Sequence, residues 1–263
     1  MFSRIARMAS VTWRTDGAIT RLTLTRPDKL NALGEAEAAE FAAAVKAVGR
    51  ERSKVVILEG QGKAFCAGGE LEFIEGNRKR SKAALAPLMR RYYESFLCVR
   101  ALPQVTLAKL QGAAVGAGLC LALACDLRAA AEDAKLGFNF VKLGLNPGMA
   151  AWPLARDIFG DARARELLFL GRFFTGRQLF DWGAACACAA PDQLDAAVNE
   201  VARELAGHSG LALRLLKKET ALDRALPRHL AFEARGQAEA FHSPDIVEGV
   251  AAVRERRAPK FHS

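Results

Sequence analysis

Apolar and polar residues alternate near the start of the chain and then give way to helical spacing. Val11–Arg14 and Ala18–Leu24 alternate on either side of Thr15-Asp16-Gly17, a pattern that predicts a β-hairpin. Glu35–Val48 has apolar residues at helical spacing and predicts a helix. The short apolar run Val55–Leu58 then predicts a buried strand.

The same patterns continue along the chain. Ser81–Leu102 predicts a long helix that ends before Pro103, and Val105–Val115 predicts a second buried strand. After Asp161 the spacing is helical almost throughout. The helices predicted there are Ala162–Leu170, Thr175–Ala185, Asp192–Gly207, Ala212–Arg224, His229–Phe241 and Asp245–Arg257.

Two stretches share the order strand, glycine-rich turn, helix. In Val105–Asp126 the turn contains Gly116-Ala117-Gly118, and in Val55–Leu71 it ends in Ala67-Gly68-Gly69. A turn of this kind leaves free backbone N–H groups, which can hold a phosphate or an oxyanion; close packing of a helix on a strand is the structural alternative. Because each turn can offer one N–H group, the two together predict an oxyanion hole built from two loops.

Composition narrows the class of protein. The chain has 263 residues, of which 51% are hydrophobic, enough for one large domain or for a domain with a small second one. No uncharged apolar run reaches about 18 residues, so we expect no membrane span. The net charge of +9 is spread along the chain without interleaved aromatic residues, and we therefore expect no nucleic-acid partner.

The six cysteines are scattered and form no C-x-x-C pair. They lie mostly in apolar surroundings, as expected for free thiols in the reducing cytoplasm. The closest pair, Cys186 and Cys188, has no histidine near it in the sequence, so we expect no metal site.

The sequences of the two turns resemble those of a known superfamily. G-K-A-F-C-A-G-G-E-L (residues 62–71) and Q-G-A-A-V-G-A-G-L-C-L-A-L-A-C-D (residues 111–126) resemble two signatures of the crotonase, or enoyl-CoA hydratase/isomerase, superfamily. The resemblance implies an α/β fold of the ClpP/crotonase type, a spiral of β-β-α units over residues 1–195. It also implies a helical region, residues 196–263, that assembles trimers, often stacked as hexamers.

The resemblance assigns the oxyanion hole to the N–H groups of Gly69 and Ala117. Ala67, Gly68 and Gly116 would then lie against an acyl-CoA thioester, the implied substrate. Coenzyme A would enter as part of that substrate, and no separate cofactor is implied.

A third motif is R-P-D-K-L-N-A-L, residues 26–33. In the superfamily this turn lies along the pantetheine and phosphates of coenzyme A. The resemblance makes Lys29 a candidate phosphate contact, with Ala32 and Leu33 lining the same turn. A surface lysine beside a structural turn is the alternative for Lys29.

The sequence departs from the superfamily at both proton-transfer positions. Where hydratases carry two glutamates, this chain has Cys120 and Phe140. Water addition to an enoyl thioester needs one group that activates water and one that protonates carbon, so the absence of both carboxylates argues against ordinary hydratase chemistry. Cys120 is either a nucleophile or a buried apolar thiol, and His242 is a weaker candidate for a catalytic group near the acyl pocket.

Three hypotheses remain open at this point. The first is an acyl-CoA enzyme that stabilises a thioester enolate without the glutamate pair, of the decarboxylase, lyase or hydrolase type. The second is a hydratase or isomerase that uses substitute residues. The third is a non-catalytic acyl-CoA-binding protein.

Overall fold

The computed structural model describes residues 5–220 and 226–261, with side chains from residue 8 onward. In this part of the chain eleven strands form two sheets. The strands are β1 Ile5–Arg7, β2 Val11–Asp16, β3 Ile19–Leu24, β4 Val55–Gly60, β5 Ala64–Cys66, β6 Val105–Leu110, β7 Ala113–Val115, β8 Leu127–Ala131, β9 Lys135–Gly137, β10 Phe173–Thr175 and β11 Ala187–Ala189.

The larger sheet has seven strands in the order β1-β2-β3-β4-β6-β8-β11. The predicted hairpin is present as β2 and β3, which pair antiparallel from Val11–Leu24 to Asp16–Ile19. From β3 onward neighbouring strands are parallel, and the central strands β4 and β6 are almost entirely buried. Strands buried on both faces explain why these segments appear in the sequence as continuous apolar runs.

The smaller sheet has four strands in the order β10-β9-β7-β5, and its pairs β5–β7 and β7–β9 are parallel. The prediction of a single strand over Val105–Val115 was therefore wrong, because this segment forms the two strands β6 and β7. The chain turns at Gln111, whose side-chain Nε2 donates to the carbonyl oxygen of Ala64 at 2.9 Å. The residues before this turn pair in the larger sheet, and those after it pair in the smaller sheet.

Ten α-helices accompany the strands in the described residues. They are α1 Glu35–Val48, α2 Leu71–Asn77, α3 Lys82–Leu97, α4 Ala117–Leu123, α5 Ala151–Leu170, α6 Gly176–Asp181, α7 Leu194–Gly207, α8 Gly210–Thr220, α9 Leu226–Ala240 and α10 Asp245–Arg254. The prediction for α1 is confirmed at both ends. Helix α3 ends earlier than predicted because residues 98–101 tighten into a 3₁₀ turn.

Helix α5 begins eleven residues earlier than the predicted start at Ala162, since its first residue is Ala151. Pro153 lies in its first turn, where a missing N–H group breaks no intrahelical hydrogen bond. The helix is interrupted at Gly160, which has a φ of 76°. The last four positions of the predicted helix Ala212–Arg224 lie outside the described residues.

An ion pair joins the helices after residue 195 to the sheet. The Nζ of Lys217 on α8 lies 2.7 Å from Asp126 Oδ2 and 2.7 Å from the carbonyl oxygen of Gln104. The same carboxylate oxygen accepts hydrogen bonds from the N–H and hydroxyl groups of Thr106 on β6. Asp126, the last residue of the second signature, thus connects β6 to α8. The division at 195/196 itself stays a prediction.

The described residues were also compared with what a membrane span or a metal site requires. No helix within residues 5–220 and 226–261 is both long and apolar enough to cross a bilayer. Over the same residues, no three histidine, cysteine or acidic side chains are grouped so that they could hold a metal ion.

Candidate active site

The two glycine-rich turns follow neighbouring parallel strands of the smaller sheet. Cys66, at the end of β5, pairs with Ala114 of β7. Because parallel strands end at the same edge of a sheet, the turn at residues 67–69 and the turn at residues 116–117 meet there. The strand order therefore brings together two segments that are far apart in the sequence.

Two glycines allow the turns to touch. Gly68 has a φ of 100°, and a methyl group placed on it would lie 2.6 Å from the carbonyl oxygen of Val115 and 3.6 Å from the amide nitrogen of Ala117. A methyl group on Gly118 would overlap the carbonyl oxygen of Cys66. Any larger side chain at either position would push the turns apart.

The amides of Gly69 and Ala117 are free to bind a ligand. Among the described residues, neither amide donates a hydrogen bond to the protein. Ala117 is the first residue of α4, where the helix itself cannot use the N–H group. Both residues line the same cavity, so their N–H groups suit the stabilisation of an oxyanion.

Leu33 supports this arrangement through its main chain. Its N–H donates to the carbonyl oxygen of Gly68 at 2.7 Å, and its carbonyl oxygen accepts from the N–H of Glu70 at 2.9 Å. The hydroxyl of Tyr92 donates to that carbonyl oxygen as well, at 2.9 Å. Leu33 is buried and is not among the residues that line the cavity, so the structure places it beneath the turn, where its main chain supports residues 68–70.

The cavity next to the two amides has a volume of about 390 Å³. Its wall contains eight of the residues predicted for the site, namely Lys29, Ala32, Ala67, Gly68, Gly69, Gly116, Ala117 and Phe140. Most of the remaining lining is apolar, including Phe73, Ile74 and Met89. Such a cavity fits an acyl chain whose thioester carbonyl lies at the two amides.

Phe140 occupies a position beside the turn that carries Ala117. It begins a 3₁₀ turn, Phe140–Leu143, and its ring faces Gly116. The neighbouring Asn139 also lines the cavity, with its Oδ1 close to Gly116. At this wall the protein offers an aromatic ring and an amide where the superfamily pattern has a carboxylate.

Cys120 lies behind the cavity wall rather than in it. It is fully buried, and its Sγ contacts the carbonyl oxygen of Gly148 at 3.6 Å. Burial raises the pKa of the thiol well above its ordinary value, which disfavours the nucleophilic thiolate. These observations favour the interpretation of Cys120 as a buried thiol.

Lys29 lies at the edge of the cavity, where its side chain is half-exposed. Its Nζ is 3.7 Å from Glu72 and 3.9 Å from Glu70. Glu70 is held more firmly by Arg26, whose Nη2 lies 3.0 Å from its Oε1. Arg26 also pairs with Glu37 on α1 at 2.6 Å. Through its ion pair with Arg26, Glu70 therefore links the turn at residues 67–69 to the segment that carries Lys29.

Sequence reasoning missed a polar cluster formed by α3 and α9. Tyr93 and Gln237 line the cavity, and Glu233 lies one turn before Gln237 on α9. Glu233 is buried, and its Oε2 accepts a hydrogen bond from the N–H of Ala150 at 2.6 Å. The available signal was the presence of two polar residues four positions apart on a helix face that otherwise carries Leu230, Ala234 and Ala238.

The candidate His242 and the carboxylate of Glu75 both lie outside the cavity. His242 hydrogen-bonds through its Nδ1 to the carbonyl oxygen of Ala238 at 2.8 Å, and it lines a shallow surface depression rather than the acyl cavity. Glu75 forms an exposed ion pair with Arg254 at 2.7 Å. Neither residue is placed to act on a substrate at the two amides.

Comparison with known proteins identifies the family. The family model for enoyl-CoA hydratase/isomerase matches residues 14–263, and the chain belongs to this family and to the crotonase superfamily. Over 256 residues it is 34% identical to human "Enoyl-CoA hydratase domain-containing protein 2, mitochondrial", covering 94% of this chain and 86% of that protein.

Two other proteins support the same assignment. The chain is 32% identical over 247 residues to the 1,2-epoxyphenylacetyl-CoA isomerase of Escherichia coli K12, covering 92% of this chain and 94% of the relative. The crystal structure of an enoyl-CoA hydratase from Mycobacterium avium subsp. paratuberculosis K-10 superimposes with a TM-score of 0.85 at 28% identity. That match covers 98% of this chain and the whole of the other. The fold is thus the crotonase fold, and the chain is identified as an acyl-CoA enzyme of this family.

Glu233 gives the stability of the protein a specific dependence on pH. Burial raises the pKa of this carboxyl from 4.5 to about 8, against the opposing effect of the backbone amides at residues 150–152. The folded protein therefore holds a proton that the unfolded chain releases, and stability falls as the pH rises from about 4.5 to about 8. We expect Glu233→Gln to remove the part of this pH-dependent loss of stability that comes from the Glu233 carboxyl.

The measurement is the urea unfolding midpoint of both proteins at several pH values from 5 to 9. The wild type should lose stability relative to Glu233→Gln as the pH rises, and the difference should level off above the folded pKa. Glu239→Gln, an exposed change on the same helix, serves as the control. Parallel curves for wild type and Glu233→Gln would contradict the assignment.

Proposed function

We propose that the protein binds acyl-CoA thioesters and stabilises their enolates at the amides of Gly69 and Ala117, without ordinary hydratase chemistry. The observation that carries this proposal is the composition of the cavity wall. The two free amides lie beside Phe140 and Asn139, and no glutamate stands at either hydratase position. One hydrogen-bond donor of this kind contributes roughly 2.7–4 kcal/mol to transition-state stabilisation.

An enolate can form without the missing glutamates. When an acyl thioester carries a carboxylate on its α-carbon, loss of carbon dioxide breaks the bond between the two carbons and leaves the electron pair as the enolate. An apolar site favours that loss because it solvates the carboxylate poorly. The apolar wall around Phe73, Met89 and Phe140 suits such a reaction. Decarboxylase, lyase and hydrolase reactions all fall within the proposal, and coenzyme A takes part only as a portion of the substrate.

A hydratase or isomerase with substitute residues is the second candidate. The observation in its favour is Glu233, a buried carboxyl from α9 that interacts electrostatically with the Cys120 position. The E. coli relative at 32% identity is named as an isomerase. A non-catalytic acyl-CoA-binding protein is the third candidate. A panel of acyl-CoA substrates followed by liquid chromatography and mass spectrometry separates the three: carbon dioxide loss, cleavage or water addition changes the mass, isomerisation changes only the elution time, and a binding protein changes neither.

We also propose that the helical region assembles trimers or hexamers in the cytoplasm. Leu211, Leu215 and Leu216 on α8 expose 60%, 56% and 57% of their surface, and Phe169 on α5 exposes 73%. Large apolar side chains grouped at a surface favour burial against another subunit. Light scattering at micromolar concentration should give a mass of three or six chains, and a monomer would contradict this part of the proposal.

The first prediction from the proposal concerns coenzyme A binding. Lys29→Ala should weaken the binding of acetyl-CoA on the order of tenfold, because a charge-assisted hydrogen bond to phosphate is worth about 1.5–3 kcal/mol. Titration calorimetry measures the affinity, and the difference between the proteins should shrink as salt is added. The exposed change Lys46→Ala on α1 is the control. Equal affinities for wild type and Lys29→Ala would remove Lys29 from the site.

The second prediction concerns water addition. The wild type should hydrate crotonyl-CoA far more slowly than about 10 s⁻¹, since removal of one general acid or base typically costs about 10²–10⁴ in rate. Phe140→Glu should raise that rate, because Phe140 lines the cavity and its replacement reaches the substrate. Changing Cys120 as well would add little, because this side chain lies behind the wall.

The assay follows loss of the enoyl absorbance, with Phe140→Leu as the control for the lost ring. Circular dichroism and acetyl-CoA binding establish that each variant is folded. Rapid hydration by the wild type would show that another residue has replaced the glutamates, and the second candidate function would then be correct.

A further inference from the structure

Two buried polar atoms lack hydrogen-bond partners, one on Tyr93, which lines the cavity, and one on Glu233, which is not among the lining residues. Within the described residues, the hydroxyl of Tyr93 and the Oε1 of Glu233 make no hydrogen bond. Tyr93 is 2% exposed and Glu233 is 4% exposed. An unpaired buried donor or acceptor costs about 1–3 kcal/mol, so a ligand that pairs with the Tyr93 hydroxyl recovers free energy that the empty protein lacks.

The side chains of Tyr93 and Gln237 converge on Gly148. A methyl group placed on Gly148 would lie 2.5 Å from the Tyr93 hydroxyl and 2.7 Å from the Nε2 of Gln237. Glu233 precedes Gln237 by one helical turn and is bonded to Ala150, two residues beyond Gly148. The side-chain amide of Gln237 already makes one hydrogen bond, because its Nε2 donates to the carbonyl oxygen of Asn146 at 3.0 Å.

This cluster lies within reach of a short acyl chain bound at the oxyanion hole. Cys120 follows Ala117 by about 4.5 Å along the axis of α4, and its Sγ contacts the carbonyl oxygen of Gly148 at 3.6 Å. Tyr93, Gly148 and Gln237 line the same cavity as Gly69 and Ala117. Several carbon atoms of an acyl chain therefore separate the thioester carbonyl from the cluster.

The cluster is electrically neutral at neutral pH. Burial raises the pKa of Tyr93 well above its ordinary value and raises that of Glu233 to about 8, so both groups carry their protons. Glu233 does not line the cavity, so its role is to leave the surroundings of Tyr93 and Gln237 uncharged. A carboxylate on the acyl chain would have to be buried as a charge next to this cluster, which costs free energy. A neutral oxygen would form hydrogen bonds there without that desolvation cost.

We propose that Tyr93 and Gln237, with Glu233 one helical turn before Gln237, form a recognition site for a neutral hydrogen-bonding oxygen on the acyl chain, either a hydroxyl or a keto group. The proposal rests on the proposed function, since it requires that acyl-CoA thioesters bind in this cavity. The neighbouring wall is formed by Phe140, Leu143 and Met149, whose side chains offer such an oxygen no hydrogen bond. The site would therefore select oxygenated acyl groups over saturated ones of the same length.

The experiment compares hexanoyl-CoA with derivatives that bear one hydroxyl or keto oxygen at each carbon from the third to the sixth. Titration calorimetry at neutral pH measures each affinity. We expect at least one derivative to bind the wild type about tenfold more tightly than hexanoyl-CoA, as one added hydrogen bond to a buried partner predicts. Tyr93→Phe should bind hexanoyl-CoA as the wild type does and lose the preference.

The neighbouring tyrosine is the matched control. Tyr92 also lines the cavity, but its hydroxyl is already bonded to the carbonyl oxygen of Leu33 at 2.9 Å. Tyr92→Phe should therefore lower the melting temperature and keep the ratio of the two affinities. Tyr93→Phe should not lower the melting temperature, because it removes a hydroxyl that has no partner in the protein. Glu233→Gln changes a side chain that does not line the cavity, keeps it uncharged and should retain the preference.

Three results would overturn the proposal while leaving the proposed function intact. Hexanoyl-CoA could bind at least as tightly as every derivative, or Tyr93→Phe could keep the preference. Alternatively, Tyr93→Phe could lower the melting temperature as much as Tyr92→Phe, which would show that its hydroxyl is paired inside the protein. Failure of every acyl-CoA to bind would instead refute the proposed function, and the recognition site with it.

Discussion

The contact between the two glycine-rich turns is the constraint on which the site depends. Gly68 lies against the carbonyl oxygen of Val115, and Gly118 lies against that of Cys66. This close approach points two backbone amides into one cavity, and it requires β5 and β7 to be neighbours in the smaller sheet. The bend at Gln111 matters for the same reason, because it transfers the chain from the larger sheet to the smaller one.

A hole made of backbone amides is largely independent of the side chains around it. The amides of Gly69 and Ala117 are positioned by the contact between the turns and not by the side chains at positions 120 and 140. At position 140 the cavity wall carries an aromatic ring, and Cys120 lies behind the wall. Polar groups reach the wall at Tyr93 and Gln237, on helices α3 and α9, which pack against each other.

The features predicted correctly from the sequence are those with local signals. The hairpin follows from alternation around Asp16-Gly17, and α1 follows from helical spacing. The motif residues that line the cavity were also predictable, because they lie on the turns themselves. Cys120 was not, since its position behind the wall depends on the distant turn at Gly148. The proximity of Tyr93 to Gln237 was equally hidden, because it depends on how α3 and α9 pack.

The packing of α9 against α3 has a consequence for synthesis of the protein on the ribosome. The amides of the hole come from the first half of the chain, but Gln237 and Phe241 complete the cavity wall from its last tenth. The nascent chain can therefore bury the parallel strands long before it can enclose a ligand. Until α9 leaves the ribosomal tunnel, the apolar face of α3 that α9 will cover stays open to solvent or to a chaperone.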